Sequence, residues 1–139
     1  MRRQDVSLSG KEYMNHRHEG VRNHLIWILL CSTITLLILW LALMPGESAP
    51  AGLGWDKLNH AGAIAVTTGL AYLSMQPRRW AAEGAFLYGI FLGVLIELLQ
   101  ATMATGRAAE WGDGAADLIG AGSVWLAINI YQRRTAPKR

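Results

Sequence analysis

The sequence predicts an all-α protein, a membrane-embedded four-helix bundle with both termini in the cytoplasm. Of its 139 residues, 52% are hydrophobic and only 17% are charged, whereas a soluble domain usually carries about 25% charged residues. Most apolar residues fall in four segments of 18–20 residues. A helix of about 20 apolar residues is long enough to cross a bilayer. Helices are expected because a spanning backbone must satisfy its own hydrogen bonds. The composition argues against a disordered chain, a coiled coil and an ordinary soluble enzyme.

The four predicted helices differ in the polar residues that interrupt them. The first is uncharged, and the second is interrupted by Asn59 and His60 near its start. The third and fourth contain one carboxylate each, Glu97 and Asp117. A buried pair of soluble helices is the alternative for the last two, but the rest of the chain is too short to cover that apolar surface. The helices lie at about residues 25–44, 58–76, 84–103 and 114–131, in one domain (25–131) between basic tails (1–24 and 132–139).

The first segment also has features of a signal peptide. It follows a basic stretch, and Ala49-Pro50-Ala51 has the small residues of a cleavage site. Its 20 apolar residues exceed the usual 7–15 of a signal-peptide core. We therefore expect an uncleaved anchor.

The basic residues are distributed unevenly around the predicted helices. Eleven of the 13 Lys and Arg residues lie in the two tails and in the loop between the second and third helices; the others are Lys57 and Arg107. Because basic loops stay in the cytoplasm, both termini are predicted inside, and loops 45–57 and 104–113 outside. The bilayer is the expected partner, and anionic lipid would attract the basic tails.

Polar residues are concentrated in the outward half of the predicted bundle. Asp56 and His60 are spaced i, i+4, as are Asp113 and Asp117, so each pair shares a helix face. A carboxylate facing lipid at Glu97 would cost up to about 2.5–3.5 kcal/mol, so it is expected to face the interior. The predicted binding pocket comprises Asp56, Lys57, His60, Glu97, Gln100, Arg107, Glu110, Asp113 and Asp117.

Structural roles are the alternatives for these residues. Asp56 or Asp113 can cap its helix. Lys57 and Arg107 can extend to the surface, and Glu97 can be half of a structural ion pair. The small-residue pairs elsewhere in the helices favour packing within the chain, with a homo-oligomer as the alternative.

Three ordered motifs contain most of the polar residues. They read Asp56-Lys57-x-x-His60, then Tyr88-Gly89 leading to Ile96-Glu97-Leu98-Leu99-Gln100, then Gly106-Arg107-x-x-Glu110-Trp111-x-Asp113-x-x-x-Asp117-x-x-Gly120. Over roughly residues 25–130 the chain resembles the VanZ-like family of small bacterial membrane proteins, although many members have Asn where this chain has Asp117. The resemblance implies a multi-pass protein of the bacterial inner membrane. Through the family's namesake it implies an accessory role in resistance to the glycopeptide teicoplanin, but no reaction.

Three classes of function are compatible with this pattern. The first is a non-enzymatic envelope factor whose pocket binds an anionic lipid head group, a cell-wall precursor or an antibiotic, with Lys57 and Arg107 attracting phosphate or carboxylate. The second is an outer-leaflet enzyme acting on a lipid-linked substrate, with His60, Glu97 and Asp113 as catalytic candidates. The third, a small oligomeric transporter, is disfavoured because the inner half lacks polar lining.

The motifs assign no cofactor. The single Cys31 and the four His residues form no cluster with zinc spacing, so no metal ligand is assigned, although a carboxylate-rich cluster can hold a divalent ion through oxygen ligands. No phosphate loop or dinucleotide motif is present, and no nucleic-acid partner is expected.

The charge asymmetry generates a prediction about topology. In a chain without Cys31, a cysteine at Ser48 or Thr105 should react with a membrane-impermeant thiol reagent from outside, and one at Gln76 should not, because the basic residues hold the Gln76 side in the cytoplasm. Reversed labelling would place the polar residues in the cytoplasm and contradict an outer-leaflet function.

Overall fold

Four α-helices make up the part of the chain that the structure describes. The computed structural model describes residues 2–44, 56–102 and 111–136, and of residues 2–21 and 56 the backbone alone. Within these ranges there is no strand, so the predicted all-α class is confirmed. The helices are α1 (Arg2–Ala42), α2 (Asp56–Met75), α3 (Ala81–Thr102) and α4 (Trp111–Thr135).

The helix bounds lie within four residues of the predicted ones except at the start of α1, and α4 continues to Thr135, into the predicted C-terminal tail. The α1 helix begins at Arg2 rather than near residue 25 and has 41 residues, a length of about 60 Å at 1.5 Å per residue. The preceding basic stretch contains no proline, and its Arg, Lys, Gln and Glu residues favour helix. The helix therefore continues past the apolar boundary. Ala49-Pro50-Ala51, the proposed cleavage-like sequence, lies outside the described residues.

The second helix is the centre of the bundle. It packs against α1, α3 and α4, and α3 also packs against α4. Within the described residues the backbone of α1 lies mainly along α2, approaches α3 at a few positions and does not come close to the backbone of α4. The main core cluster contains Ile64 from α2, Leu92 and Ile96 from α3, and Ala121 from α4. The three helices that carry the polar motifs therefore form one mutually packed unit, with α1 on its outside.

Small residues set the spacing of these three helices. A Cβ atom at Gly120 would overlap the carbonyl oxygen of Ala61 and lie 3.0 Å from its carbon. A Cβ at Gly89 would overlap the Thr68 hydroxyl and lie 3.1 Å from the Cβ of Ala121. These small residues thus pack within the chain, as the sequence favours.

Side-chain hydrogen bonds attach α1 to the rest of the bundle. Thr35 of α1 bonds the hydroxyl of Tyr88 on α3. The Gln100 amide nitrogen donates to the carbonyl oxygen of Ala42 at 2.9 Å. Ala42 is the last residue of α1, and a helix leaves its final carbonyl groups without intrahelical donors. Gln100 therefore caps α1 from the neighbouring helix.

Two helical segments are long and apolar enough to cross a membrane, judged by length and composition. They are Arg22–Ala42, with 21 residues, and Ala81–Thr102, with 22 residues. Within the described residues α2 and α4 do not meet the same measure. The polar residues at their starts, including Lys57 and Asp113, lower their apolar character.

The contact at Gly120 generates a prediction about stability. Gly120→Ala should lower the free energy of unfolding by about 1–3 kcal/mol, the usual cost of overpacking, because the added methyl group meets backbone of α2 that cannot rotate away. Gly122→Ala is the matched control, since a Cβ there meets nothing within 4 Å. Thermal unfolding of both variants in detergent measures the difference. An equal effect of the two substitutions would mean that the contact with Ala61 does not limit the helix spacing.

Candidate functional site

The polar residues of three helices meet at one end of the bundle. His60 is four residues from the start of α2, Glu97 is five from the end of α3, and Asp117 is six from the start of α4. At 1.5 Å per residue these offsets correspond to depths of about 6–9 Å along each helix. Because successive helices run in opposite directions, the three side chains lie at a common level.

His60 is surrounded by carboxylates from the other two helices. Its Nδ1 atom lies 3.4 Å from Oδ1 of Asp117 and 4.0 Å from Oε1 of Glu97. Its Nε2 atom lies 4.0 Å from Oδ2 of Asp113. Both ring nitrogens therefore face acidic groups, with Glu97 and Asp117 on one side of the ring and Asp113 on the other. We define the polar cluster as Lys57, His60, Glu97, Asp113 and Asp117.

Lys57 forms the outer edge of the polar cluster. Its Nζ atom donates to Oδ1 of Asp113 at 3.4 Å, and its side chain is 44% exposed. Asp113 is buried in the first turn of α4, where the positive end of the helix dipole favours a carboxylate. The Lys57 stem crosses Gly112, where a Cβ would lie 2.6 Å from its Cε. One Asp113 carboxylate thus faces both the ammonium group and the imidazole.

Asp117 is the most buried acidic group in the cluster. Its side chain is 4% exposed, and within the described residues neither carboxylate oxygen has a hydrogen-bond partner. Buried carboxylates are normally paired and hydrogen-bonded, because their desolvation is otherwise costly. The carboxylate fits where it does because Gly93 leaves room, since a Cβ there would lie 2.6 Å from Oδ2 of Asp117.

The remaining predicted site residues are not part of this cluster. Gln100 is buried at the same end, but its amide nitrogen donates to α1. Asp56 is the first residue of α2, and its side chain is not described. Arg107 and Glu110 lie outside the described residues, so their predicted roles rest on the sequence alone.

Two glycines that the motifs do not assign to the site help to shape it. Gly93 makes room for the Asp117 carboxylate, and Gly112 makes room for the Lys57 stem. The sequence feature that could have identified Gly93 as a site residue is its position four residues before Glu97, which puts both residues on one face of α3. Its place in a Gly-x-x-x-Gly pair favours helix packing instead. No comparable signal identifies Gly112.

Three of the clustered side chains have the arrangement of a metal-binding group. Each of His60, Glu97 and Asp117 offers one ligand atom, and these atoms all lie within 4.8 Å of one another. A histidine between carboxylates can also act as a general base. Among the described residues, three carboxylates face one imidazole and one ammonium group, so the described part of the cluster is acidic.

Comparisons of the chain with protein-family models, with curated protein sequences and with solved structures find no match.

The burial of Asp117 generates a prediction that separates site residues from structural ones. In the presence of a chelator, Asp117→Asn should raise the free energy of unfolding, because it removes a buried charge whose oxygens lack hydrogen-bond donors, a defect that costs about 1–3 kcal/mol. Asp113→Asn, the same substitution one turn earlier, should lower it because the contact with Lys57 loses its charge. Thermal unfolding in detergent compares the two. Destabilisation by Asp117→Asn would show that its charge supports the fold.

Proposed function

We propose that the chain is an integral protein of the bacterial inner membrane with four transmembrane helices. The support is the large apolar surface that every helix leaves exposed. Leu36, Val66, Phe91 and Ile119, one from each helix, are 54–67% exposed, and further large apolar side chains are exposed on all four helices. Soluble monomers rarely expose large apolar patches. At 20–25 residues, α2, α3 and α4 have lengths of about 30–38 Å, which match a hydrocarbon core of about 30 Å.

We place the polar cluster at the outer face of the membrane. Arg78 and Arg79 follow α2, at the opposite end of the bundle from Lys57. With the basic tails they outnumber the basic residues at the cluster end, and the positive-inside rule then keeps both termini in the cytoplasm. The Arg78 guanidinium lies 5.4 Å from the ring centre of Trp80, a pairing suited to the interfacial region.

At this position Lys57, at the outer edge of the cluster, binds an anionic ligand of the cell envelope, the phosphate group of a lipid head group or of a cell-wall precursor. The observation that carries this function is the convergence of ionisable side chains from three helices into one buried group at the end of an apolar bundle. Ionisable groups within membrane helices are costly and usually serve a function. Lys57, half-exposed at the outer edge, is the group that meets the ligand first. The VanZ-like motifs favour an accessory role in resistance to a glycopeptide antibiotic.

An outer-leaflet enzyme is the second candidate, and the surroundings of His60 favour it. The Nε2 atom of His60 lies 4.0 Å from Asp113, and the Nδ1 atom lies 3.4 Å from Asp117. A carboxylate that orients an imidazole is the usual arrangement for general-base catalysis. The substrate would be a lipid-linked or phosphorylated molecule, and release of a water-soluble phosphate compound from phosphatidylglycerol vesicles, lost in His60→Gln, would favour this function over simple binding.

Lipid retention measured by native mass spectrometry tests the binding function. The wild-type protein, released from nanodiscs of mixed phosphatidylglycerol and phosphatidylcholine, should retain phosphatidylglycerol selectively. Lys57→Gln should weaken retention about tenfold, because a hydrogen bond to a charged group contributes about 1.5 kcal/mol. Arg79→Gln is the matched control, since it removes one positive charge at the opposite end. Equal retention by both variants and the wild type would contradict a phosphate site at Lys57.

A further inference from the structure

The buried part of the polar cluster has a donor set that differs from that of an anion site. His60, Glu97 and Asp117 contribute one imidazole nitrogen and two carboxylate groups, and their ligand atoms lie within 4.8 Å of one another. Imidazole suits zinc and other transition metals, and carboxylates also suit manganese. Three protein ligands with one position left open are typical of zinc sites that bind or activate a further molecule. We propose that these three residues bind a divalent transition-metal ion, Zn²⁺ or Mn²⁺.

The spacing of the ligand atoms supports this site. Two ligands on a tetrahedral zinc ion, each at about 2.1 Å, are about 3.4 Å apart. The Nδ1 atom of His60 lies 3.4 Å from Oδ1 of Asp117. The distance from Nδ1 to Oε1 of Glu97 is 4.0 Å, so this pair must approach by about 0.6 Å. Glu97 has a long side chain with three rotatable torsions, so a shift of this size does not require the helices to move.

Asp117 gives the second, independent indication of a bound cation. Both of its carboxylate oxygens are buried, and no described residue donates a hydrogen bond to either. The carboxylate points towards His60, and Gly93 leaves space for it. A charge in this position is stabilised when it binds a metal ion or another cation. The other acidic residue at the same end of α4, Asp113, receives a hydrogen bond from Lys57, so the lack of a described donor distinguishes Asp117 from Asp113.

Asp113 completes the arrangement from the far side of the imidazole. A histidine that binds metal through one nitrogen usually donates the N–H of the other to a carboxylate. Here Nδ1 faces Glu97 and Asp117, and Nε2 lies 4.0 Å from Oδ2 of Asp113. The 4.0 Å separation is longer than a hydrogen bond, so the ring has to move slightly before its N–H can reach Asp113. In the proposed site Asp113 would then orient the ring without binding the metal, and Lys57 would offset the charge of Asp113.

The ion would also add positive charge to the described part of the cluster, in which carboxylates predominate. Three carboxylates repel a phosphate group, whereas a metal ion with an open position attracts one as its next ligand. This role towards phosphate rests on the proposed function, but binding of the ion does not.

Titration of the metal-free full-length protein in detergent with Zn²⁺, Mn²⁺ or Mg²⁺ tests the site. Native mass spectrometry should find one Zn²⁺ or Mn²⁺ per chain, with Zn²⁺ bound more tightly, as in the general order of affinities for divalent metals. Mg²⁺ should bind much more weakly because it prefers oxygen ligands and octahedral geometry. His60→Gln, Glu97→Gln and Asp117→Asn should each weaken Zn²⁺ binding by at least about tenfold, since loss of even an outer-shell partner costs about 10–100-fold.

Control variants outside the proposed metal site show whether the loss of Zn²⁺ binding is specific to the three ligands. Glu83→Gln makes the same substitution at the exposed, opposite end of α3 and should leave Zn²⁺ affinity unchanged. A His16→Gln, His18→Gln double variant tests the histidines of the basic tail and should also bind normally. Thermal unfolding without metal checks that each variant is folded, and added Zn²⁺ should raise the unfolding temperature of the wild type but not of Asp117→Asn.

Two results would overturn the site: no stoichiometric Zn²⁺ or Mn²⁺ on the wild-type chain, or equal binding by the wild type and all three ligand variants. Stoichiometric Zn²⁺ without selective retention of phosphatidylglycerol would support the metal site and contradict the proposed function. Selective retention of phosphatidylglycerol by a chain that binds none of the three metals would support the proposed function and contradict the metal site.

Discussion

A hydrogen atom in place of a side chain at Gly120 allows the backbone of α4 to lie against the Ala61 carbonyl group of α2. Ala61 follows His60 directly, and Gly120 lies one turn after Asp117. This close contact between the two helices therefore lies next to the imidazole and the carboxylate, which are 3.4 Å apart. A wider helix spacing would let water or lipid separate them. The geometry of the polar cluster thus depends on a steric property of one small residue.

Gly93 has the equivalent effect between α3 and α4. A side chain there would occupy the position of the Asp117 carboxylate, and Glu97 lies one turn further along the same helix face. The residues that allow close packing and those that carry charge are thus adjacent on each helix. In lipid there is no hydrophobic driving force between helices, so their association depends on close contact of their surfaces. The small residues that allow this contact therefore contribute both to the stability of the bundle and to the assembly of the site.

The side chains of the cluster differ in their exposure to water. Lys57 at the edge is 44% exposed, whereas Asp113, His60, Glu97 and Asp117 are 4–17% exposed. The cost of an uncompensated charge is therefore highest among these four residues. The proposed cation would bind between His60 and the carboxylates of Glu97 and Asp117 and would offset their charge. A phosphate-bearing ligand and a metal ion are then compatible occupants of one pocket.

The sequence by itself determined the number and positions of the helices, because hydrophobic runs and helix propensity are local properties. It also determined that the ionisable residues of three helices share one end of the bundle, since that follows from their offsets along antiparallel helices. It did not predict that α1 begins at Arg2. The prediction relied on the apolar segment that begins at residue 25, and the polar residues before that segment do not show where the helix starts.

Only the tertiary structure decided which of these residues meet. Gln100, one turn from Glu97 and equally suited to a pocket, donates its amide to α1, whereas Asp117 faces His60 and lacks a hydrogen-bond donor among the described residues. Gly93 and Gly112 acquire their roles only from the side chains that cross them. The rotation of each helix about its axis and its distance from its neighbours select these partners. Both are set by packing between helices, which no single segment of sequence encodes.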